Sequence, residues 1–264
     1  MDLQLKNKTA LVTGSTAGIG LAIAKSLLKE GASVIINGRT APRIQQAVNL
    51  LQHEIPGCKI TGIAADFEDT HQIAYLVKQA GNIDILINNI GIFEPMPFFE
   101  IPDADWFKFF EVNVMSGVRL SKAFMPQMLQ QNWGRIIFIS SESGVLTPEE
   151  MIHYGTTKTA QLAVSRGLAE LTKGTAVTVN AVLPGPTWSE GASGFVENPA
   201  TSLQQAIKEV AASFFKEARP TSLLQRFATV DEVASMVTYL VSPLSSATYG
   251  AAIRVDGGVV KHIL

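Results

Sequence analysis

Short runs rich in β-branched residues alternate along the chain with longer stretches in which apolar residues return every three or four positions. The runs are Thr9–Thr13, Ser33–Asn37, Ile60–Ala64, Ile83–Ile87, Arg135–Ile139, Val177–Val182 and Ala252–Val255, and each reads as a strand. Between them, helices are predicted over Ile19–Glu30, Ala41–His53, Thr70–Gln79, Trp106–Gln131, Tyr154–Thr172 and Asp231–Val241. Pro42 and Asp231 suit helix starts, and Gly31 suits a helix end. This alternation predicts an α/β fold with about seven parallel strands and helices on both faces of the sheet.

The alternation is nearly unbroken over 264 residues, with no repeat or linker to mark a boundary, so one domain spanning 1–264 is expected. The exception is the segment from Pro184 to Pro220. It is rich in Gly, Pro, Ser and Thr yet carries Trp188, Phe195, Phe214 and Phe215, and it reads as a substrate lid over about 185–220.

Composition narrows the function. Hydrophobic residues make up 47% and charged residues 17%, enough to bury a large core. A net charge of -2 leaves no basic excess for nucleic acid or an anionic membrane, and no stretch is long and apolar enough to span a bilayer. One cysteine, Cys58, rules out an internal disulfide framework and fits a cytoplasmic location. Four histidines, His53, His71, His153 and His262, lack ligand spacing, so no metal site is expected. His153 reads as structural or lid-facing, and Glu149 with Glu150 as a solvated helix start.

Chemistry enters at the first strand-to-helix turn, Thr13-Gly14-Ser15-Thr16-Ala17-Gly18-Ile19-Gly20. Glycines there let the backbone approach a pyrophosphate, whose charge is favoured at a helix N-terminus. Tyr154 and Lys158, four apart on a predicted helix, share a face. In a partly shielded site a cation about 4 Å away contributes about 4 kcal/mol, enough to bring a tyrosine hydroxyl near neutrality. Ser141 lies thirteen residues earlier, at the carboxyl edge where open α/β sheets bind ligands.

The Gly-x3-Gly-x-Gly spacing, Asn88-Asn89-Ile90-Gly91, Ser141, Tyr154-x3-Lys158, Pro184-Gly185 and Val255-Asp256-Gly257-Gly258 together resemble the short-chain dehydrogenase/reductase family over nearly the whole chain. The resemblance implies a single Rossmann-type domain, a homotetramer or dimer joined through the two long helices, and a carbonyl or alcohol substrate. It implies that Tyr154 is the general acid/base, that Ser141 bonds the substrate oxygen, and that Lys158 holds the nicotinamide ribose and tunes Tyr154. Asn113 would support a water-linked proton relay. Cofactor contacts are implied for Gly14, Ser15, Gly18, Ile19, Gly20, Asp66, Phe67, Asn89, Gly91, Pro184, Gly185 and Thr187.

At the end of the second strand, Ile36-Asn37-Gly38-Arg39-Thr40 holds no carboxylate for a ribose 2′-hydroxyl, and Arg39 suits a 2′-phosphate. NADP is therefore the expected cofactor and NAD the alternative. An NAD-linked oxidation, a dehydratase or epimerase in the same cleft, and a non-catalytic dinucleotide sensor are the other readings. With Phe93, Met96, Phe98 and the lid aromatics near the site, and no Arg or Lys evident to hold an anion, a fairly hydrophobic substrate is expected.

Overall fold

A computed structural model of the chain describes residues 2–189 and 211–263. Seven parallel strands form the main sheet: β1 (Thr9–Val12), β2 (Ser33–Gly38), β3 (Ile60–Ala64), β4 (Ile85–Asn88), β5 (Gly134–Ile139), β6 (Val177–Pro184) and β9 (Ala252–Val255). Their order across the sheet is β3-β2-β1-β4-β5-β6-β9, with Leu11 registered against Ile35 on one side and Leu86 on the other. The winding reverses between β1 and β4, which opens a crevice at the carboxyl edge of the sheet.

Alternation along each strand feeds two cores. Ala10 and Val12 of β1, Ile85 and Ile87 of β4, and Ile137 and Ile139 of β5 pack beneath α1 (Gly18–Lys29), α2 (Ala41–Glu54) and α7 (Val230–Leu240). Leu11, Leu86, Ile136 and Phe138 face α3 (Thr70–Ala80), α5 (Ser116–Gln130) and α6 (Ile152–Glu170). Strands buried on both faces account for the high apolar fraction. The predicted elements match these within a few residues, and α7 starts from Thr229, whose side chain forms a reciprocal capping box with Glu232.

Two features go beyond the sequence reading. The long helix predicted from Trp106 is α4 (Asp103–Phe110), a π-helical turn at Glu111–Met115 and then α5, a continuous rod with a bulge. In addition, β7 (Thr187–Trp188) pairs in parallel with β8 (Ala228–Thr229), apart from the main sheet. The expected lid is described only in part, since residues 190–210, including Phe195, lie outside the described residues. Where described, Trp188, Phe214, Phe215 and Phe227 pack as one aromatic cluster. Among the described residues no helix is long and apolar enough to cross a membrane.

Candidate active site

After β1 the chain turns sharply into α1. Gly14 and Gly18 lie in the left-handed region at φ +58° and +56°, where a side chain is strained. At Gly20 the constraint is space, because a Cβ would come within 2.5 Å of the Gly14 carbonyl oxygen and 2.6 Å of Asn89 Nδ2. Ala17 caps α1 with extended backbone and no side-chain hydrogen bond, so the N–H groups of the first turn stay open to an anion.

Long-range bonds hold this turn. Asn89 Nδ2 donates to the carbonyls of Thr13 (2.8 Å) and Gly14 (3.1 Å), which joins the ends of β1 and β4. Asn37 at the end of β2 accepts from the Gly14 N–H at 3.1 Å. Ser15 is fully buried, donates to the Val12 carbonyl (2.6 Å) and accepts from the Asn37 N–H (3.0 Å). Its hydroxyl locks the turn and has no share left for a cofactor phosphate.

The other expected cofactor residues fall around the same edge. Ile19, Asn89, Gly91, Pro184, Gly185 and Thr187 line a single cavity of about 470 Å³. Arg39 stands exposed just past β2, with no ion pair among the described residues. Asp66 is half-buried and its carboxylate accepts from the Glu68 N–H at 3.1 Å. The Phe67 ring belongs to the core, which leaves only its backbone for the crevice. An open helix end, two left-handed glycines and a cleft with no side chain at Gly91, where a Cβ would sit 3.2 Å from Lys158 Nζ, fit a dinucleotide.

Ser141 from the loop after β5 meets Tyr154 and Lys158 from α6 in the wall of that cavity. Lys158 is buried, and Nζ donates to the Ile139 carbonyl (3.0 Å) and to Gln161 Oε1 (3.3 Å). Burial pushes its ammonium down to about 8. Tyr154 is half-buried, and withdrawal from water raises its hydroxyl above the ordinary tyrosine value. The nearby Ser141 hydroxyl pulls it back in part, and the Glu142 carboxylate pushes it further up.

This corrects the expectation that Lys158 alone brings Tyr154 near neutrality. A full charge at about 4 Å would do so, but Nζ lies 5.6 Å from the tyrosine ring centroid and its own charge is weakened by burial. Without ligand, Tyr154 is held in its protonated form.

Asn113 sits in the π-helical turn and does not reach the cavity wall. Its side chain accepts from the Ile92 N–H (2.8 Å) and donates to the Ile92 carbonyl and to Thr157 Oγ1 (both 3.0 Å), stapling the exit of β4 to α6. Its main-chain carbonyl accepts from Gln161 Nε2. Gln161, 2% exposed, therefore bridges Lys158 to Asn113 through its amide. Sequence reading missed this residue, although its place one turn after Lys158 on the same helix face was a usable signal.

The sequence shows no Arg or Lys placed to hold an anionic substrate, and the structure adds one cation to the cavity that is already engaged by two carboxylates. Arg219, 9% exposed, lines the cavity, where its Nε donates to Glu142 Oε1 and its Nη1 to Glu150 Oε1, both at 3.2 Å. Glu150 is thus a cavity residue and more than a solvated helix start. Arg219 escaped notice because it lies at the far end of the expected lid segment, 65 positions beyond Tyr154, where the residues that follow it are anchored to the turn at Asp256-Gly257-Gly258. The Leu223 and Leu224 N–H groups donate to the Gly257 carbonyl, and Thr221 Oγ1 donates to Val259. Of the aromatics expected at the substrate, Phe93 and Phe214 line the cavity, while Phe215 is 2% exposed in the protein interior. His153 is structural, buried against Phe109 at 4.2 Å between ring centroids. Among the described residues no group of acidic, His or Cys side chains could hold a metal.

A glycine turn at the switch point of a parallel sheet, opening onto a cavity that holds Ser, Tyr and Lys, defines an NAD(P)-dependent oxidoreductase. The model for short chain dehydrogenase matches residues 8–200. The chain is 48% identical to the uncharacterized oxidoreductase YvaG of Bacillus subtilis (strain 168), over 100% of both chains. It superposes with a TM-score of 0.89, at 28% identity and covering 100% of both chains, on L-sorbose reductase from Gluconobacter frateurii complexed with NADPH and L-sorbose. A 7α-hydroxysteroid dehydrogenase complexed with NADH and 7-oxo glycochenodeoxycholic acid gives 0.84 at 26% identity, covering 100% of this chain and 98% of that one. The chain belongs to the short-chain dehydrogenase/reductase family.

Proposed function

We propose that this enzyme is an NADPH-dependent reductase of a small carbonyl compound, running reversibly as an alcohol dehydrogenase. The observation that carries the reading is the convergence of Ser141, Tyr154 and Lys158 on one cavity beside the glycine turn. Bound NADPH supplies the hydride. Tyr154, held protonated by its surroundings, donates the proton to the developing alkoxide, and Ser141 bonds the same oxygen. Lys158 stands below Gly91 to hold the ribose and to feed charge toward Tyr154. Asn113 positions Lys158 through Gln161 and the exit of β4.

NADP is preferred over NAD because β2 ends without a carboxylate and Arg39 stands exposed beside the turn. The remaining cofactor contacts are assigned to the backbone of Gly14, Gly18, Ile19 and Gly20, with Asp66 at the adenine. Phe107 on α4 and Leu171 just past α6 are strongly exposed apolar residues, which supports a homo-oligomer built on those helices. The same reading places the enzyme in the cytoplasm. Its test is Tyr154→Phe. NADPH binding should persist while carbonyl reduction falls at least about 1,000-fold, the scale of losing a proton donor; full turnover in that variant removes the mechanism.

A further inference from the structure

Ser141 cannot serve a substrate as it stands. A serine hydroxyl has one proton to give, and Ser141 gives it to Glu142 Oε2 at 2.6 Å while accepting from the Ser143 N–H at 3.1 Å. Glu142 is 5% exposed, and its other oxygen is bonded to Arg219. Two carboxylates, Glu142 and Glu150, share that guanidinium, so the cluster carries a net negative charge. Desolvating such a group is costly and contributes little to stability compared with an apolar contact. Here it faces the cavity directly beside the proton donor.

We propose that Glu142 and Arg219 recognise a hydroxyl on the carbon next to the reacting carbonyl, making the substrate class neutral α-hydroxy ketones and, in reverse, vicinal diols. Oxygens on adjacent carbons lie about one hydrogen-bond length apart, ~2.8 Å, which matches the separation of Ser141 Oγ and Glu142 Oε2. A substrate hydroxyl that donates to Glu142 replaces the serine's proton there. Ser141 is thereby released to donate to the carbonyl oxygen, and Arg219 can donate to the substrate hydroxyl. A simple ketone offers Glu142 no donor, leaves the serine engaged and strips water from charged groups without replacing its bonds. An anionic substrate meets a cation already neutralised twice. Phe93 and Phe214 supply walls for the carbon skeleton.

This inference rests on the hydride-transfer reading, and a matched pair of probes separates the two. Hydroxyacetone and butanone differ by a hydroxyl in place of a methyl. The full-length enzyme with NADPH should reduce hydroxyacetone with a kcat/KM at least about 100-fold higher, a modest share of the discrimination known for sites built to bond a hydroxyl. Glu142→Ala should bring the ratio to within a few-fold, by lowering turnover of hydroxyacetone and raising that of butanone as Ser141 is freed. If the unpaired Arg219 unfolds that variant, the double variant Glu142→Ala, Arg219→Met removes both charges and should show the same collapse of the ratio. Equal rates on the two ketones in the parent enzyme, or a proportional loss on both in the variants, overturns the proposal and leaves hydride transfer standing. Bound NADPH with no oxidation by either ketone overturns the proposal together with the reading beneath it.

Discussion

Replacing Gln161 by Leu tests how the buried lysine is kept charged. The two side chains are similar in volume, so the change removes polarity with little effect on packing. It deletes the acceptor 3.3 Å from Lys158 Nζ and the donor to the Asn113 carbonyl. A hydrogen bond to a charged group is worth about 1.5 kcal/mol at the low end, and about 1.4 kcal/mol corresponds to one pH unit. Lys158 already titrates at about 8, below its ordinary 10.5, because of burial. Losing a partner of the charged form lowers it again, so the ammonium is lost sooner as pH rises. The alkaline limb of kcat/KM for NADPH-dependent reduction should therefore move from about pH 8 to about pH 7. The orphaned carbonyl should also lower stability by about 1–3 kcal/mol, read by denaturant unfolding. A limb that stays in place while stability falls would show that Gln161 is only packing, and would refute the argument. The same linkage applies to the parent protein: the cost of holding Lys158 charged is present in full below pH 8 and fades as pH rises toward 10.5.

Two further changes address the cofactor end. Arg39→Asp should weaken NADPH by at least about 10-fold and improve NADH, since it replaces a charge-assisted phosphate contact with repulsion; titration of both cofactors by fluorescence checks this, and unchanged NADPH affinity would sink the assignment. Gly20→Ala should lose dinucleotide binding outright, because the added methyl meets the backbone of Gly14 at 2.5 Å, and an affinity within about 3-fold of the parent, ~0.6 kcal/mol, would show that the turn yields.

The central strands were legible because they are buried on both faces and therefore read as continuous apolar runs, and the edge strands β3 and β9 because they are short β-branched runs between helical stretches. Gly14, Tyr154 and Lys158 stood out in the sequence because the chemistry proposed for them depends on spacing within one turn or one helix. The paired β7 and β8 were not, since two-residue strands have no periodicity. The π-helical turn at Glu111–Met115 was hidden for a related reason: it changes the hydrogen-bonding of a helix without changing its apolar pattern. Arg219 and Gln161 failed differently. Each looks like an ordinary surface-compatible side chain until tertiary structure buries it, and burial also reversed the expected direction for Tyr154. Pairwise charge arithmetic has no desolvation in it.

The bond from Asn89 to Thr13 and Gly14 spans about 75 positions of chain. Its consequence is temporal. During synthesis, the glycine motif leaves the ribosome long before the residue that shapes it, and non-local pairing of this kind is slow. A nascent chain that has completed β2 and β3 carries every glycine of the turn and still has no site for a dinucleotide. Cofactor affinity should therefore be absent until β4 has docked beside β1, which makes dinucleotide binding a reporter that the two halves of the sheet have joined.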